Sequence, residues 1–311
     1  MVPSGQLSPA TRPDLPETEI DILELGDLAP GAGWRRPVLL DADVLVLVTG
    51  GHGTAELDFR PRPCRPGTLL HAGPGQVLRC TAQLDATVIR WHGDALRGLD
   101  VDPESVPAHH QLAGEDEDAV INEVSQLVVD HRRHRADPAA HPLLRHQLAV
   151  LLLRLALLPD PYRDGAGRES NGRNSDGAES QRAELVTFHR FCREVEHGYQ
   201  QTRRVEDYAA RMGCSVRTLT RACLAVTGRS AKQVVDERVA LQASRLLAAT
   251  DEPVARIGRR LGFPEPTNFG RFFTREVGVS PGAFRAAREQ PLPRVVRPRR
   301  PADPPVDPGR A

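Results

Sequence analysis

The stretch LGFPEPTNFGRFFTREVG, residues Leu261–Gly278, holds four of the eight phenylalanines in this 311-residue chain. The last three of the four recur at helical spacing, which predicts a helix with one strongly apolar face. Thr267, Asn268 and Arg271 fall on the opposite side of that helix. A helix anchored by so many aromatic rings would hold its polar side at a fixed angle to the rest of the protein.

A matching pattern occurs earlier in the chain, in VEDYAARMGCSVRTLTRACLAVTGRS, which starts at Val205. Seven residue pairs match between the two segments at separations of 49 or 50 positions, which indicates an internal duplication. Each copy predicts a short helix, a glycine turn and a second helix, with positive φ at Gly213 and Gly262. Ser215 is expected to cap the second helix of the first copy, and Pro266 suits the first turn of its counterpart. This is the helix-turn-helix pattern.

The outward-facing residues of both second helices are small, polar or basic. Arginine can donate two hydrogen bonds to guanine and asparagine can pair with adenine, and each good pair contributes ~1–3 kcal/mol of discrimination between bases. One long helix, Ser230–Ala249, is expected to join the two units. A single match would be weak evidence, whereas two in tandem predict a DNA-binding domain. The expected base-reading residues are Arg217, Thr218, Thr220 and Arg221 in the first unit and Thr267, Asn268 and Arg271 in the second.

Charge is distributed unevenly, although the formal net charge of the chain is zero. Residues 183–311 hold 23 Lys and Arg against 14 Asp and Glu, a net charge of +9, so residues 1–182 carry −9. A basic half joined to an acidic half indicates a polyanionic partner for the C-terminal half. The expected partner is double-stranded DNA.

Residues Val205–Arg285 resemble the DNA-binding domain of the AraC-type transcription regulators. The resemblance rests on the stretches RACLAVTGRSAKQVVDERVALQASRLL, LAATDEPVARIGRRLGF and FGRFFTREVGVSPGAFR. It implies seven helices and two units that reach successive major grooves on one face of the DNA. It also adds Glu265 to the expected base contacts. A regulator of this kind is expected to contact RNA polymerase, and activation is the expected direction of control.

The second unit departs from the family pattern in two places. Gly258 stands where the family usually has alanine, and Pro264 and Pro266 bracket the start of the second recognition helix. Both departures are expected to loosen or re-aim this unit, so that base reading would depend more on the first unit.

The N-terminal half carries β signals from Ile20 to about Trp91, where short Val- and Leu-rich runs are separated by Gly and Pro turns. Helical periodicity follows in Glu115–His134 and His141–Leu158. The whole chain therefore predicts an α+β protein of two domains, with an N-terminal β-barrel and a C-terminal all-α domain. The barrel and its helical segment are consistent with the cupin-like sensor domain that AraC-type regulators often carry.

Composition shifts give the expected domain boundaries. Residues 160–182 lack Val, Ile, Leu, Phe and Met, which indicates a flexible linker. The expected order is a loose leader (1–18), the cupin-like domain with its helical segment 115–158 (19–159), the linker (160–182), the DNA-binding domain (183–290) and a disordered Pro/Arg-rich tail (291–311).

The barrel leaves two uses open: it either binds a small organic effector or has a filled core and serves for dimerisation or polymerase contact. The helices in 115–158 are apolar enough either to bury themselves within the domain or to pair with a second copy, which would give a homodimer. The residues expected to line an effector pocket are Trp34, Arg36, His52, His71 and Trp91.

Several function classes are disfavoured. The chain lacks the HxH motif of metal-dependent cupin enzymes, so neither a bound metal nor enzymatic activity is expected. The histidines at 131, 134, 141 and 146 are expected on a solvated helix face. Five cysteines without a CxxC pair, no signal peptide and no apolar run long enough for a membrane span favour a cytoplasmic protein with reduced thiols. A cupin-type enzyme fused to a DNA-binding module, and a regulator controlled by abundance or a protein partner, stay as alternatives.

Overall fold

A computed structural model describes residues 20–29, 34–158, 175–289 and 292. It confirms the predicted fold class: an N-terminal domain of two antiparallel sheets with a helical segment precedes an all-helical C-terminal domain. The predicted leader, most of the tail and linker residues 160–174 lie outside the described residues.

The nine described strands form two sheets, ordered β1-β8-β3-β6-β9 and β2-β7-β4-β5. The four-stranded sheet ends in β5, whose sequence RPRPC fits an edge strand because proline cannot donate to a second neighbour. The strands are β1 Ile20–Glu24, β2 Val38–Leu39, β3 Asp43–Gly50, β4 Gly53–Leu57, β5 Arg60–Cys64, β6 Thr68–Ala72, β7 Val77–Cys80, β8 Asp85–Trp91 and β9 His109–Gln111.

The centre of the five-stranded sheet is buried on both faces, as the unbroken apolar run of β3 shows. Val44, Val46 and Val48 point into a core shared with the four-stranded sheet. Leu45 and Leu47 point the other way, into a core shared with the helical segment. Because side chains alternate along a strand, one strand serves two cores. Apolar side chains of both sheets form the core between them.

The helical segment consists of α2 (Glu115–His134) and α3 (His141–Ala156), after a short helix α1 (Leu25–Leu28) near the N-terminus. Short 3-10 helices lie at Gly93–Leu96, Pro103–Ser105 and Pro138–Ala140. His131 is buried on α2, so its predicted place on a solvated face is wrong. It follows Val120, Val124 and Leu127 along the buried side of α2.

The described residues of the C-terminal domain form seven helices, as the family resemblance implies. The first, α4, begins inside the range predicted as linker. The absence of large apolar residues therefore does not mark a linker from residue 175 onward, because the backbone hydrogen bonds of a helix can continue beyond its amphipathic part. The helices are α4 Ser175–Gly198, α5 Val205–Met212, α6 Val216–Thr227, α7 Ala231–Ala249, α8 Val254–Arg260, α9 Pro266–Val277 and α10 Pro281–Arg288.

Helix α7 is the predicted connecting helix and lies at the centre of the C-terminal domain. A capping box at its start confirms the boundary: the Ser230 hydroxyl accepts from the Gln233 backbone N–H, and the Gln233 side chain accepts from the Ser230 N–H. Its buried residues are spread around most of its circumference, so it contacts both helix-turn-helix units. None of the described helices is both long and apolar enough to cross a membrane.

Candidate nucleic-acid interface

The first unit is formed by α5 and α6, and its local geometry confirms the predicted turn. Gly213 ends α5 with φ 66°, a conformation that side chains with a Cβ rarely adopt. The Ser215 hydroxyl then accepts from the Thr218 N–H at 3.1 Å and caps α6. Leu219 and Cys223 on α6 are fully buried, whereas Val226 near its end is 37% exposed.

The second unit is formed by α8 and α9. Gly262 has φ 79° in the turn, and Pro266 occupies the first turn of α9, as predicted. Glu265 stands at the N-cap of α9, where its side chain makes no capping hydrogen bond. Phe269 and Phe273 are fully buried beneath α9.

The aromatic rings of the second unit form one connected cluster. The centroids of Phe263 and Phe269 are 5.4 Å apart, and those of Phe269 and Phe273 are 5.9 Å apart. Phe272 lies 4.9 Å from Phe263, and Phe284 of α10 lies 5.5 Å from Phe273. Aromatic pairs at such separations contribute about 0.5–1.5 kcal/mol each beyond the burial of their area. The rings therefore fix the roll and tilt of α9, which explains why half of the phenylalanines lie in one short stretch.

Gly258 has a packing role that its departure from the family pattern did not suggest. A Cβ at this position would lie 3.0 Å from both Cβ and Cγ of Phe269. The missing side chain lets α8 approach the ring closely. Because this contact is tight, the packing of Gly258 does not support the expectation that this residue loosens the second unit.

Most of the eight predicted base-reading residues lie at the surface on the outer sides of α6 and α9. Six are exposed, whereas Thr218 and Thr220 are half-buried. The exposed six are Arg217, Arg221, Glu265, Thr267, Asn268 and Arg271. The two units are joined through α7, which contacts helices of both.

Arg221 has a partner that sequence reasoning missed. Its Nε lies 3.1 Å from a carboxylate oxygen of Glu184 on α4. The Glu184 side chain is 18% exposed and that of Arg221 is 69% exposed, so the acid holds the arginine from the protein side. Nothing in the helical pattern of α4 singled out Glu184, because the pairing depends on how α4 crosses α6.

A groove of about 890 Å³ lies beside the second recognition helix. Arg203, Lys232 and Arg275 line it together with Asn268 and Arg271. The Arg203 guanidinium lies 3.7 Å above the Phe263 ring, and burial lowers its pKa from the ordinary arginine value. Such a cluster of cations beside a recognition helix suits phosphate groups. Arg203, Lys232 and Arg275 were not predicted as part of the DNA-binding surface, because they come from three separate parts of the chain.

Two acids, Asp236 and Glu276, also line the groove and partly offset this charge, and Glu276 lies 2.6 Å from Arg275. Asp236 is buried at the side of the groove, where Lys232 and Arg275 pair with it. The Arg275 contact measures 3.4 Å between its Nη2 and the carboxylate. Asp236 therefore orders two of the cations.

The structure does not bring the five predicted effector residues to one pocket. Trp34 is buried between the sheets, next to a cavity of about 670 Å³ lined also by Leu25, Ala29 and Leu84. His71 and Trp91 stack on each other on the far face of the five-stranded sheet, with ring centroids 5.9 Å apart. The two groups are separated because strand alternation sends neighbouring side chains to opposite faces.

The other two members of that set lie elsewhere. His52 is exposed in the turn between β3 and β4. Arg36 pairs with Asp251, at 2.5 Å, and with Glu289, both of the C-terminal domain. Arg36 is therefore engaged between the domains and is not turned toward the cavity.

The described residues contain no group of three or more His, Cys, Asp or Glu placed to hold a metal ion. Burial raises the pKa of the Cys64 and Cys192 thiols to about 11 and that of Cys223 to about 12. Thiols with such pKa values stay protonated near neutral pH, so they are poor nucleophiles.

Comparisons with known proteins agree with the tandem units. A family profile described as a helix-turn-helix domain matches residues 208–287. The arabinose operon regulatory protein of Escherichia coli (strain K12) is 42% identical over 55 residues, 18% of this chain and 18% of that protein. The matched stretch thus spans less than a fifth of this curated relative.

Solved structures show similarity over two different extents. The DNA-binding domain of AdpA, a global transcriptional factor, solved with a target DNA, is 36% identical over 32% of this chain and 90% of that chain, with a TM-score of 0.30. Unsaturated fatty acid-bound ToxT from Vibrio cholerae strain SCE256 aligns over 88% of this chain and 97% of that chain, with 10% identity and a TM-score of 0.39.

Proposed function

We propose that this chain, which belongs to the AraC-type transcription regulators, binds a defined DNA site through α6 and α9 and controls transcription from that site. The observation that carries the proposal is the pair of exposed polar helix faces joined by one buried connecting helix. In this proposal α6 and α9 enter successive major grooves. The groove lined by Arg203, Lys232 and Arg275 receives the intervening phosphates.

The decisive experiment is selection of bound sequences from a random duplex library with the full chain. The expected result is a motif with two parts about one helical turn apart. No enriched motif, together with binding that disappears at moderate salt, would reject sequence-specific recognition. A reporter carrying the recovered site then gives the direction of control, for which we propose activation.

The same selection assigns the base-reading residues. Arg217→Ala and Arg221→Ala are expected to relax the preference at one base position each, by about 1–3 kcal/mol. Arg97→Ala removes an exposed arginine from the N-terminal domain and is the control, with no expected change in the motif. Equal weakening of all sequences by either α6 variant would reject its base-reading role.

We also propose that the chain acts as a homodimer through α3. Four apolar residues line one exposed side of this helix and of the turn after it, and Leu157 is 85% exposed. They follow one another at intervals of seven, three and four positions, which is the heptad spacing of a helix-to-helix seam. The four residues are Leu143, Val150, Leu153 and Leu157.

For control through the N-terminal domain, we propose the cavity beside Trp34 as the effector site. A small organic effector there would stabilise the domain by mass action, and a thermal-shift screen of small neutral and cationic organic compounds would detect it, because Glu24 and Asp85 line the cavity. Control by abundance or by a protein partner is the alternative. A screen without any stabilising compound would favour that alternative.

A further inference from the structure

The tip of the β4–β5 hairpin, residues Asp58 and Phe59, has an unusual backbone. The strands pair up to Leu57 and Arg60, so these two residues form the whole loop. Both have positive φ, 48° and 65°. Two-residue hairpin loops of this kind favour Asn-Gly or Asp-Gly, and a phenylalanine with positive φ is strained. Strain of this sort persists where the surrounding structure requires the side chain in that place.

The Phe59 ring extends into the C-terminal domain. Its centroid lies 5.4 Å from that of Phe284 on α10, with the rings nearly perpendicular. The Arg288 guanidinium lies 4.8 Å from the centre of the Phe59 ring and 5.2 Å from that of Phe284. Phe284 in turn packs on Phe273 beneath α9. Phe59 therefore extends the aromatic cluster that anchors the second recognition helix.

Asp58 makes the second contact of the tip. Its two carboxylate oxygens accept from Arg245 Nε at 2.8 Å and from Arg245 Nη2 at 2.7 Å. Only 13% of the Asp58 side chain and 8% of the Arg245 side chain are exposed. The carboxylate also accepts from the Gln76 side chain and the Val77 backbone N–H. A buried ion pair with this many hydrogen bonds specifies one geometry between the two domains.

Charged residues beside the tip add further contacts between the domains. Glu56 of β4 lies 3.0 Å from Arg79 and 3.5 Å from Arg288. Arg79 also donates to the Arg288 carbonyl at 3.2 Å. All of these contacts lead to α7 and α10, whereas α6 packs against α4, α5 and α7.

We propose that the hairpin tip completes the core beneath α9, so that the position of the second recognition helix depends on the N-terminal domain. The strain at Phe59 is retained because its ring fills the end of the aromatic cluster. Movement of the hairpin would then change the second half of the DNA-binding surface and leave the first half in place. The docking itself is independent of DNA binding, and only its consequence for base reading rests on the proposed function.

The test is Phe59→Gly in the full chain, because glycine adopts the positive φ without strain. The substitution creates the favoured Asp-Gly loop, so the hairpin itself should fold at least as well. Hydrogen–deuterium exchange should accelerate about tenfold in α9 and α10 and stay unchanged in α6. Arg60→Ala, a change of the exposed residue next to the tip, is the matched control and should change neither.

Two outcomes would overturn the docking: unchanged exchange in α9 and α10, or equal acceleration in α6. Asp58→Asn, which removes the buried charge without changing the size of the side chain, should act in the same direction as Phe59→Gly. If exchange in α9 and α10 is unchanged in both variants, the hairpin tip does not dock as proposed.

DNA selection with Phe59→Gly tests the consequence for base reading. Preference should relax at the bases assigned to α9 and persist at those assigned to α6. Altered exchange with an unaltered motif would overturn the control of α9 by the hairpin. A parent protein without any motif would instead overturn the proposed function, and the exchange experiment would still decide whether the tip docks.

Discussion

Among single residues, Arg221 shows how a side chain that we propose to read a base can be held in place before DNA binds. Its Nε is engaged by Glu184 on the protein side. This leaves both terminal amino groups of the guanidinium to donate to guanine O6 and N7. An arginine restrained in this way loses less side-chain entropy on binding. Glu184 is therefore a positioning residue in the proposed interface.

Glu184→Ala should relax base preference at the position read by Arg221, by up to about 1 kcal/mol because the pair is partly exposed. Affinity for random DNA should not fall, since an acid near the phosphates is removed. Competition binding against single-base variants of the selected site measures both quantities. Glu237→Ala, which removes the carboxylate paired with Arg229, is the control. If both variants change only the general affinity, Glu184 has no positioning role.

Gly258 and Gly270 allow a matched comparison of two helical glycines. A Cβ at Gly270 would meet nothing within 4 Å, so Gly270→Ala should stabilise the fold by up to about 1 kcal/mol through helix propensity. Gly258→Ala gains the same propensity but places its Cβ 3.0 Å from Phe269. We expect Gly258→Ala to be less stable than Gly270→Ala by about 1–3 kcal/mol in urea unfolding. Equal stabilisation by both would contradict the close contact.

Among whole elements, the pairing of α4 with α7 is strengthened by one ion pair. Arg238 of α7 donates from Nε and Nη2 to the two carboxylate oxygens of Glu196 on α4, each at 2.5 Å. The same guanidinium lies 4.0 Å from the centre of the Tyr199 ring. The hydrogen bonds from Arg238 hold the pKa of Glu196 below its ordinary value. Two helices distant in sequence are thus joined beside the first unit.

This pair gives stability a pH dependence with a defined sign. Because the folded-state pKa of Glu196 is lowered, its contribution is present above the unfolded value of about 4.3 and is lost as pH falls through the folded pKa. Glu196→Gln should lower the melting temperature at about pH 7, and the difference from the parent should shrink toward about pH 3. Thermal melts across this range measure it. A difference that is constant with pH would show that the pair does not titrate on unfolding.

On the scale of the whole molecule, the exposed stripe on α3 decides the oligomeric state that we propose. Leu153→Glu places a charge in the middle of the stripe and should convert a dimer to a monomer in analytical ultracentrifugation. Val186→Glu, which changes an exposed apolar residue of α4, should leave the dimer intact. A monomeric parent, or a dimer that survives Leu153→Glu, would contradict this interface.

The sequence by itself determined the parts that depend on neighbouring residues. Gly213 and Gly262 have positive φ in the turns of the two units, and Ser230 caps α7, because each of these features is local. The duplication and the helical spacing of the phenylalanines predicted both helix-turn-helix units for the same reason. Alternating apolar residues and turn residues predicted the strands of the N-terminal half. They did not predict that the five expected effector residues would lie apart from one another.

Only the tertiary structure decided which distant residues meet. The pairing of Glu184 with Arg221 depends on how α4 crosses α6, and the burial of His131 depends on which side of α2 meets the core. Arg36 was expected in an effector pocket and Phe59 was not singled out, yet both contact the C-terminal domain. The physical reason is that local patterns specify the backbone and the apolar faces of each element. Contacts across a sequence separation of more than 180 residues, such as Asp58 with Arg245, exist only after those elements pack.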